Sequence, residues 1–109
     1  TLPTEDGVAP GNGACIGALS GAAEREPSKI IGKPSSYMIN ALLDTMGVSP
    51  DKAAIVGDRI KTDIAAGKKA GLKTILVLSG ISSQETVEEA IGTEESPDHV
   101  VSKLEDLVS

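Results

Sequence analysis

Aromatic side chains are nearly missing from this sequence: its 109 residues include one tyrosine and neither phenylalanine nor tryptophan. A core must therefore be assembled from Ile, Leu, Val, Ala and Met, without the rings that usually supply much of the buried area. A chain of this size buries only about two-thirds of its unfolded surface, so little stability is held in reserve. The lone cysteine, Cys15, cannot form an internal disulfide, which fits a reducing cytoplasm. Basic residues are outnumbered, ten against sixteen acidic ones. The resulting net charge of −6 argues against nucleic acid or an anionic membrane as a partner. It leaves room for a small anionic substrate, because one local cation and a metal ion can overrule the global field. No apolar run is long enough to span a bilayer, and no basic-then-apolar signal segment opens the chain. The first residue is Thr1 rather than Met, which points to processing or to a segment upstream.

What is present is an alternation of helical and strand patterns. Residues 1–13 are rich in breakers and read as a loop. Small and apolar residues from Ala14 to Glu24 predict a short helix ended by Pro27, with Cys15 a buried, inert thiol on it. Lys29–Ile31 reads as a short strand stopped by Gly32. Pro34 opens an amphipathic helix in which Tyr37, Met38, Ala41, Leu42 and Met46 form the core stripe and Gly47 is the stop. Ala53–Val56 is a second strand, Thr62–Ala70 a helix with Gly71 at its end, and Thr74–Leu78 an unbroken apolar strand of the kind covered on both faces. Gln84–Ile91 reads as helix, His99–Val101 as an edge strand and Lys103–Val108 as a last helix. Such alternation implies an α/β fold with a parallel sheet between helical layers, a three-layer Rossmann-like arrangement.

In an open parallel sheet, ligands gather beyond the carboxyl ends of the strands. Gly32-Lys33-Pro34, Gly57-Asp58 and Ser79-Gly80 all fall there. Lys33 precedes a helix N-terminus, where backbone N–H groups already favour an anion; the bland alternative is a solvated surface lysine. Asp58 stands at a strand tip and Asp63 in the first turn of the following helix, where a carboxylate also suits the helix dipole alone. Two carboxylates converging with a lysine suggest a hard-cation site, since Mg²⁺ takes oxygen ligands and few protein carboxylates alongside phosphate. Gly11-Asn12-Gly13 with Gly17 lacks the preceding strand that a dinucleotide fingerprint needs, and His99 reads as structural.

Taken in order, Gly32-Lys33-Pro34, Gly57-Asp58-Arg59-Ile60-Lys61-Thr62-Asp63-Ile64, Gly67, Ala70-Gly71 and Leu76-Val77-Leu78-Ser79-Gly80 closely resemble the haloacid-dehalogenase superfamily. The branch it looks most like is that of the nitrophenylphosphatases, NagD-like proteins and phosphoglycolate phosphatases, over residues 10 to the end. The resemblance implies a Mg²⁺-dependent phosphomonoesterase acting on a small phosphorylated substrate. It makes Lys33 the catalytic and substrate-binding lysine that steadies the attacking carboxylate and the phosphoryl group. It makes Asp58 the acidic metal ligand and Asp63 a second acidic residue of the metal site, catalytic with Lys33, that orders metal-bound water and the lysine. That family draws its nucleophile and general acid from an Asp-x-Asp segment, and no such segment occurs here. The expectation is thus the C-terminal half of a phosphatase core, without the cap domain and inactive by itself. Two alternatives are a non-catalytic α/β binding module that retains these residues and a receiver-like signalling domain. The latter fits poorly, because receivers carry the acidic pair early and the lysine last. In the family's sheet the nucleophile strand lies between the strands ending at Gly32 and Gly57. Its absence implies an exposed sheet edge and homo-oligomer formation through it.

Overall fold

Short β-branched runs beyond Ile31 can be stable strands only if they find partners. In the computed structural model, which describes residues 1–80 and 82–108, three of them do: β3 (Ala54–Gly57), β4 (Lys73–Val77) and β5 (His99–Val101) form a parallel sheet in the order β3-β4-β5. Helices α2 (Tyr37–Met46), α3 (Ala65–Ala70) and α4 (Gln84–Ala90) lie between or before them, so the α/β class expected from the alternation is present. Residues 1–30 form a separate compact unit, a hairpin of β1 (Leu2–Thr4) and β2 (Gly7–Ala9) followed by α1 (Asn12–Ala23).

Register fixes which side chains share a face, because successive residues of a strand point to opposite sides. Ile55 pairs with Thr74 and Gly57 with Leu76, so these share one face. Helix α3 is seated on it so closely that a Cβ added to Gly67 would meet Ile55 Cγ2 and come within 2.9 Å of Thr74 Cγ2. Thr74 and Leu76 are fully buried there, and Ile60, Ile64, Val87 and Ala90 close the core around Leu76. The core is built from aliphatic side chains, as a sequence almost without aromatics requires. Gly71 ends α3 with φ of 77° and Gly47 ends α2 with φ of 65°, both left-handed stops as expected.

Six expectations are corrected. Residues 1–13 are not all loop: Glu5-Asp6 make a two-residue turn between three-residue strands too short for a periodicity signal. Lys29–Ile31 is not a strand; Ile30 and Ile31 are about half exposed, and β propensity without a ladder partner does not hold an extended segment in place. Helix α2 begins at Tyr37, after a turn that includes Pro34, and it buries Leu43 instead of the stripe containing Tyr37, Met38, Leu42 and Met46, all of which are exposed. The apolar residues of that helix exceed one face, so composition alone cannot say which line turns inward. Cys15 is exposed, because α1 spreads small apolar residues all round its circumference and buries none of them. The helix expected over Thr62–Ala70 begins as a π-helical turn at Ile60–Ile64, and the last element is a short 3₁₀ turn at Leu104–Leu107. Among the described residues no helix is long and apolar enough to cross a membrane.

The amino end of the sheet is secured by Asp98, a residue that sequence reasoning passed over. Its carboxylate accepts from the Thr74 backbone N–H at 2.8 Å, the Thr74 hydroxyl at 3.0 Å and Lys68 Nζ at 3.0 Å, while its own N–H donates to Thr74 Oγ1. These contacts tie β5 to β4 and α3. The Thr74 backbone hydrogen bond first, and then Lys68, hold the Asp98 carboxyl at about 2, below its ordinary 3.8. A carboxylate lowered in the folded state stabilises the fold above the unfolded value and loses that contribution as pH falls through the folded one. Replacing Asp98 with Asn is therefore expected to destabilise the fold by about 1–2 kcal/mol at neutral pH. The gap between variant and parent melting temperatures should narrow from about pH 4 down to about pH 2. A gap that stays constant over that window in paired melts contradicts this role.

Candidate active site

The π-helical turn at Ile60–Ile64 puts Asp63 at the end of β3 and turns it back on the strand. Its own N–H donates to the Arg59 carbonyl at 2.9 Å, and the Arg59 N–H donates to its Oδ2 at 3.1 Å. Its other oxygen, Oδ1, takes the Lys33 ammonium in an ion pair across thirty residues of chain. The Asp63 side chain is only 9% exposed while that of Lys33 is 52% exposed, so a buried carboxylate holds a lysine that is half in solvent. Lys33 and Asp63, two of the expected site residues, are thus in direct contact, and both oxygens of Asp63 are engaged.

Close approach of Asp63 to the strand is possible because position 57 has no side chain. A Cβ built there would collide with Asp63 Cβ and lie 2.6 Å from its Oδ2. The same device recurs one strand over. Asp58 is partly exposed, and a Cβ at Gly80 would collide with its side chain, lying 2.6 Å from Cγ. Gly80 follows β4, and the Ser82 N–H beyond it donates to the Asp58 carbonyl at 3.1 Å. Lys33, Asp58 and Asp63 therefore all lie at the carboxyl end of the sheet, opposite Asp98. The Gly-Asp-x₄-Asp spacing signalled the two carboxylates. The Arg59 backbone donor and the two vacant Cβ positions gave no sequence signal beyond being a glycine or a peptide group.

The arrangement offers a hard cation a partly exposed carboxylate, Asp58, backed by a buried one, Asp63, that is bound to Lys33 and Arg59. That suits Mg²⁺, which binds through one or two carboxylates and keeps waters or phosphate oxygens for the rest of its shell. Among the described residues no group of three or more His, Cys, Asp and Glu side chains converges as a closed cage. A cleft of about 480 Å³ lies elsewhere, between Pro34, Lys61, Lys69 and Glu95. It touches none of Lys33, Asp58 and Asp63, and Lys68 on its wall is engaged by Asp98.

A family profile described as HAD-hydrolase-like matches residues 30–107, from just before Lys33 to past β5. The chain belongs to that family. As a HAD-hydrolase-like chain it is 39% identical over 99 residues to phosphoglycolate phosphatase 2 of Arabidopsis thaliana, a match covering 91% of the chain and 32% of the relative. The solved p-nitrophenyl phosphatase from Archaeoglobus fulgidus superposes with a TM-score of 0.85 at 41% identity, covering 97% of this chain and 41% of that one. A glycerol phosphate phosphatase from Mycobacterium tuberculosis, solved in complex with magnesium, superposes with a TM-score of 0.81 at 33% identity, over 97% of this chain and 31% of that one. The chain thus spans about a third of the length of the curated relative.

Replacing Gly57 with Ala is expected to push Asp63 off the strand and loosen its contacts to Arg59 and Lys33. The overpacking should destabilise the fold by about 1–3 kcal/mol, which for a domain of this size lowers the melting temperature by at least about 4 °C. A variant melting together with the parent would contradict the close packing described.

Proposed function

We propose that this chain supplies the phosphate-stabilising lysine and the acidic metal site of a Mg²⁺-dependent phosphomonoester hydrolase acting on small phosphorylated metabolites. The observation that carries this reading is the Lys33–Asp63 ion pair beside Asp58 at the carboxyl end of a parallel sheet. The relatives, which include phosphatases of phosphoglycolate and glycerol phosphate, support the substrate class.

In this reading Asp63 does not meet the phosphoryl group. It fixes the lysine: with Oδ2 held by the Arg59 N–H, Oδ1 is aimed, and the Lys33 ammonium is held at the sheet end. There Lys33 binds a phosphoryl oxygen and balances charge that builds as the phosphorus–oxygen bond breaks, an electrostatic contribution needing no reorganisation at the moment of reaction. Asp58 presents the carboxylate that would hold Mg²⁺, and Asp63 would order water beside it. When bound, the ion neutralises phosphoryl oxygens and fixes their orientation. The nucleophile of the reaction is an aspartate of an Asp-x-Asp segment, which forms an aspartyl-phosphate that water hydrolyses. This sequence has no Asp-x-Asp, so the chain provides the stabilising half of the chemistry.

The 109-residue chain with Mg²⁺ should accordingly show no turnover of p-nitrophenyl phosphate above buffer. Turnover that disappears on Asp58→Asn would overturn this division of labour. Joined to a segment that restores the nucleophile strand, the chain should support turnover, and Asp58→Asn should then lower kcat/KM by about 10²-fold or more.

A further inference from the structure

We propose that Gly80 is a positioning residue for the metal site: the side chain it lacks is the space in which the Asp58 carboxylate sits. The inference rests on the reading of Asp58 as the metal-binding carboxylate and assigns a role to the Ser79-Gly80 loop. Glycine is not required there by backbone conformation. The glycines with positive φ are, among the described residues, Gly7, Gly47, Gly71 and Gly92, and Gly80 is not one of them. What position 80 does require is room. An added Cβ would collide with Asp58 Cβ and Oδ2 and come to 2.6 Å from Cγ, closer than any ordinary carbon contact.

Such a collision can be relieved by moving either the loop or the aspartate, and the loop is tied on both sides. Before Gly80, the Leu78 N–H donates to the Val101 carbonyl at 3.0 Å, and Leu78 packs against the core around Leu76. After it, buried Ser82 donates its N–H to the carbonyl of Asp58 itself at 3.1 Å. The backbone of Asp58 is thereby clamped to the loop while its carboxylate is only partly buried. A methyl group at position 80, meeting Asp58 Cβ as well as its carboxylate, therefore displaces the aspartate as a whole, leaving the charge present and its place wrong. Groups that orient a metal ligand without touching the ion typically change affinity by about 10- to 100-fold when altered.

The test is a double-mutant cycle on the chain with Mn²⁺ as the probe, read by paramagnetic broadening of amide signals and, separately, by melting without metal. The parent should bind Mn²⁺ with broadening centred on Gly57–Asp63 and the loop after β4. Gly80→Ala should weaken binding about 10-fold or more, Asp58→Asn should abolish it, and the two together should do no more than Asp58→Asn. In the metal-free melts Gly80→Ala should lower the melting temperature, and in an Asp58→Gly background, where the Cβ and carboxylate it collides with are both gone, it should lower it much less. If Gly80→Ala fails to fold, the Asp58→Gly, Gly80→Ala double variant should regain the stability of Asp58→Gly. Parent-like Mn²⁺ affinity in Gly80→Ala overturns the proposal, as does a melting loss that persists without the Asp58 side chain. A parent that binds no Mn²⁺ overturns the metal site itself, while the melts still decide whether position 80 governs Asp58.

Discussion

The ion pair between Lys33 and Asp63 joins parts of the chain that nothing in local sequence brings together, one from the turn before α2 and one from the turn after β3. Asp63 is the buried partner, and a buried carboxylate is tolerated only where hydrogen bonds and an opposite charge compensate its lost hydration. The Arg59 N–H and the Lys33 ammonium meet that requirement, and Gly57 leaves the space for them to do so. Removing the lysine would leave the carboxylate with a single neutral donor. Removing the carboxylate would release a side chain already half in solvent to move freely. The position of the cation at the sheet end therefore follows from how Asp63 is packed.

The two ends of the sheet carry acidic residues in contrasting roles. At the amino end, the Asp98 carboxylate is saturated by Thr74 and Lys68 and joins β4, β5 and α3. At the carboxyl end, Asp58 lies against a glycine and keeps partial exposure. The structural carboxylate and the proposed site thus lie at opposite ends of the strands, the site at the end where ligands gather in open parallel sheets. The depressed carboxyl of Asp98 reflects that structural use, at the end of the sheet away from the proposed site.

Much of this was legible in the sequence. Strands β3, β4 and β5 lie within a residue of their expected positions, because short runs rich in β-branched residues are strong local signals and their parallel pairing supplies the partners they need. The Lys29–Ile31 strand had the same local signal and no ladder, and it is absent. The inward line of α2 and the exposure of Cys15 were likewise beyond reach, since both depend on what packs against a helix and not on its own composition. For the site, the spacing of Asp58 and Asp63 and the glycine-bounded lysine were readable, and the resemblance to haloacid-dehalogenase proteins agrees with the family match. That Asp63 engages both Lys33 and a backbone amide was not readable, because it depends on the π-helical turn. Nor was the use of Gly57 and Gly80 as vacant space, which only the packing of two strand ends reveals.

The most direct test of this account is an ammonium-detected ¹⁵N spectrum of the lysine side chains. Lys33 is held by a buried carboxylate, so its ammonium signal should persist where solvent-exposed lysines exchange too fast to be seen. Replacing Asp63 with Asn should erase that signal while leaving the Lys68 signal, anchored by Asp98, in place. A Lys33 signal that is missing from the parent, or unchanged in the Asp63→Asn variant, would contradict the claim that Asp63 holds the lysine at the site.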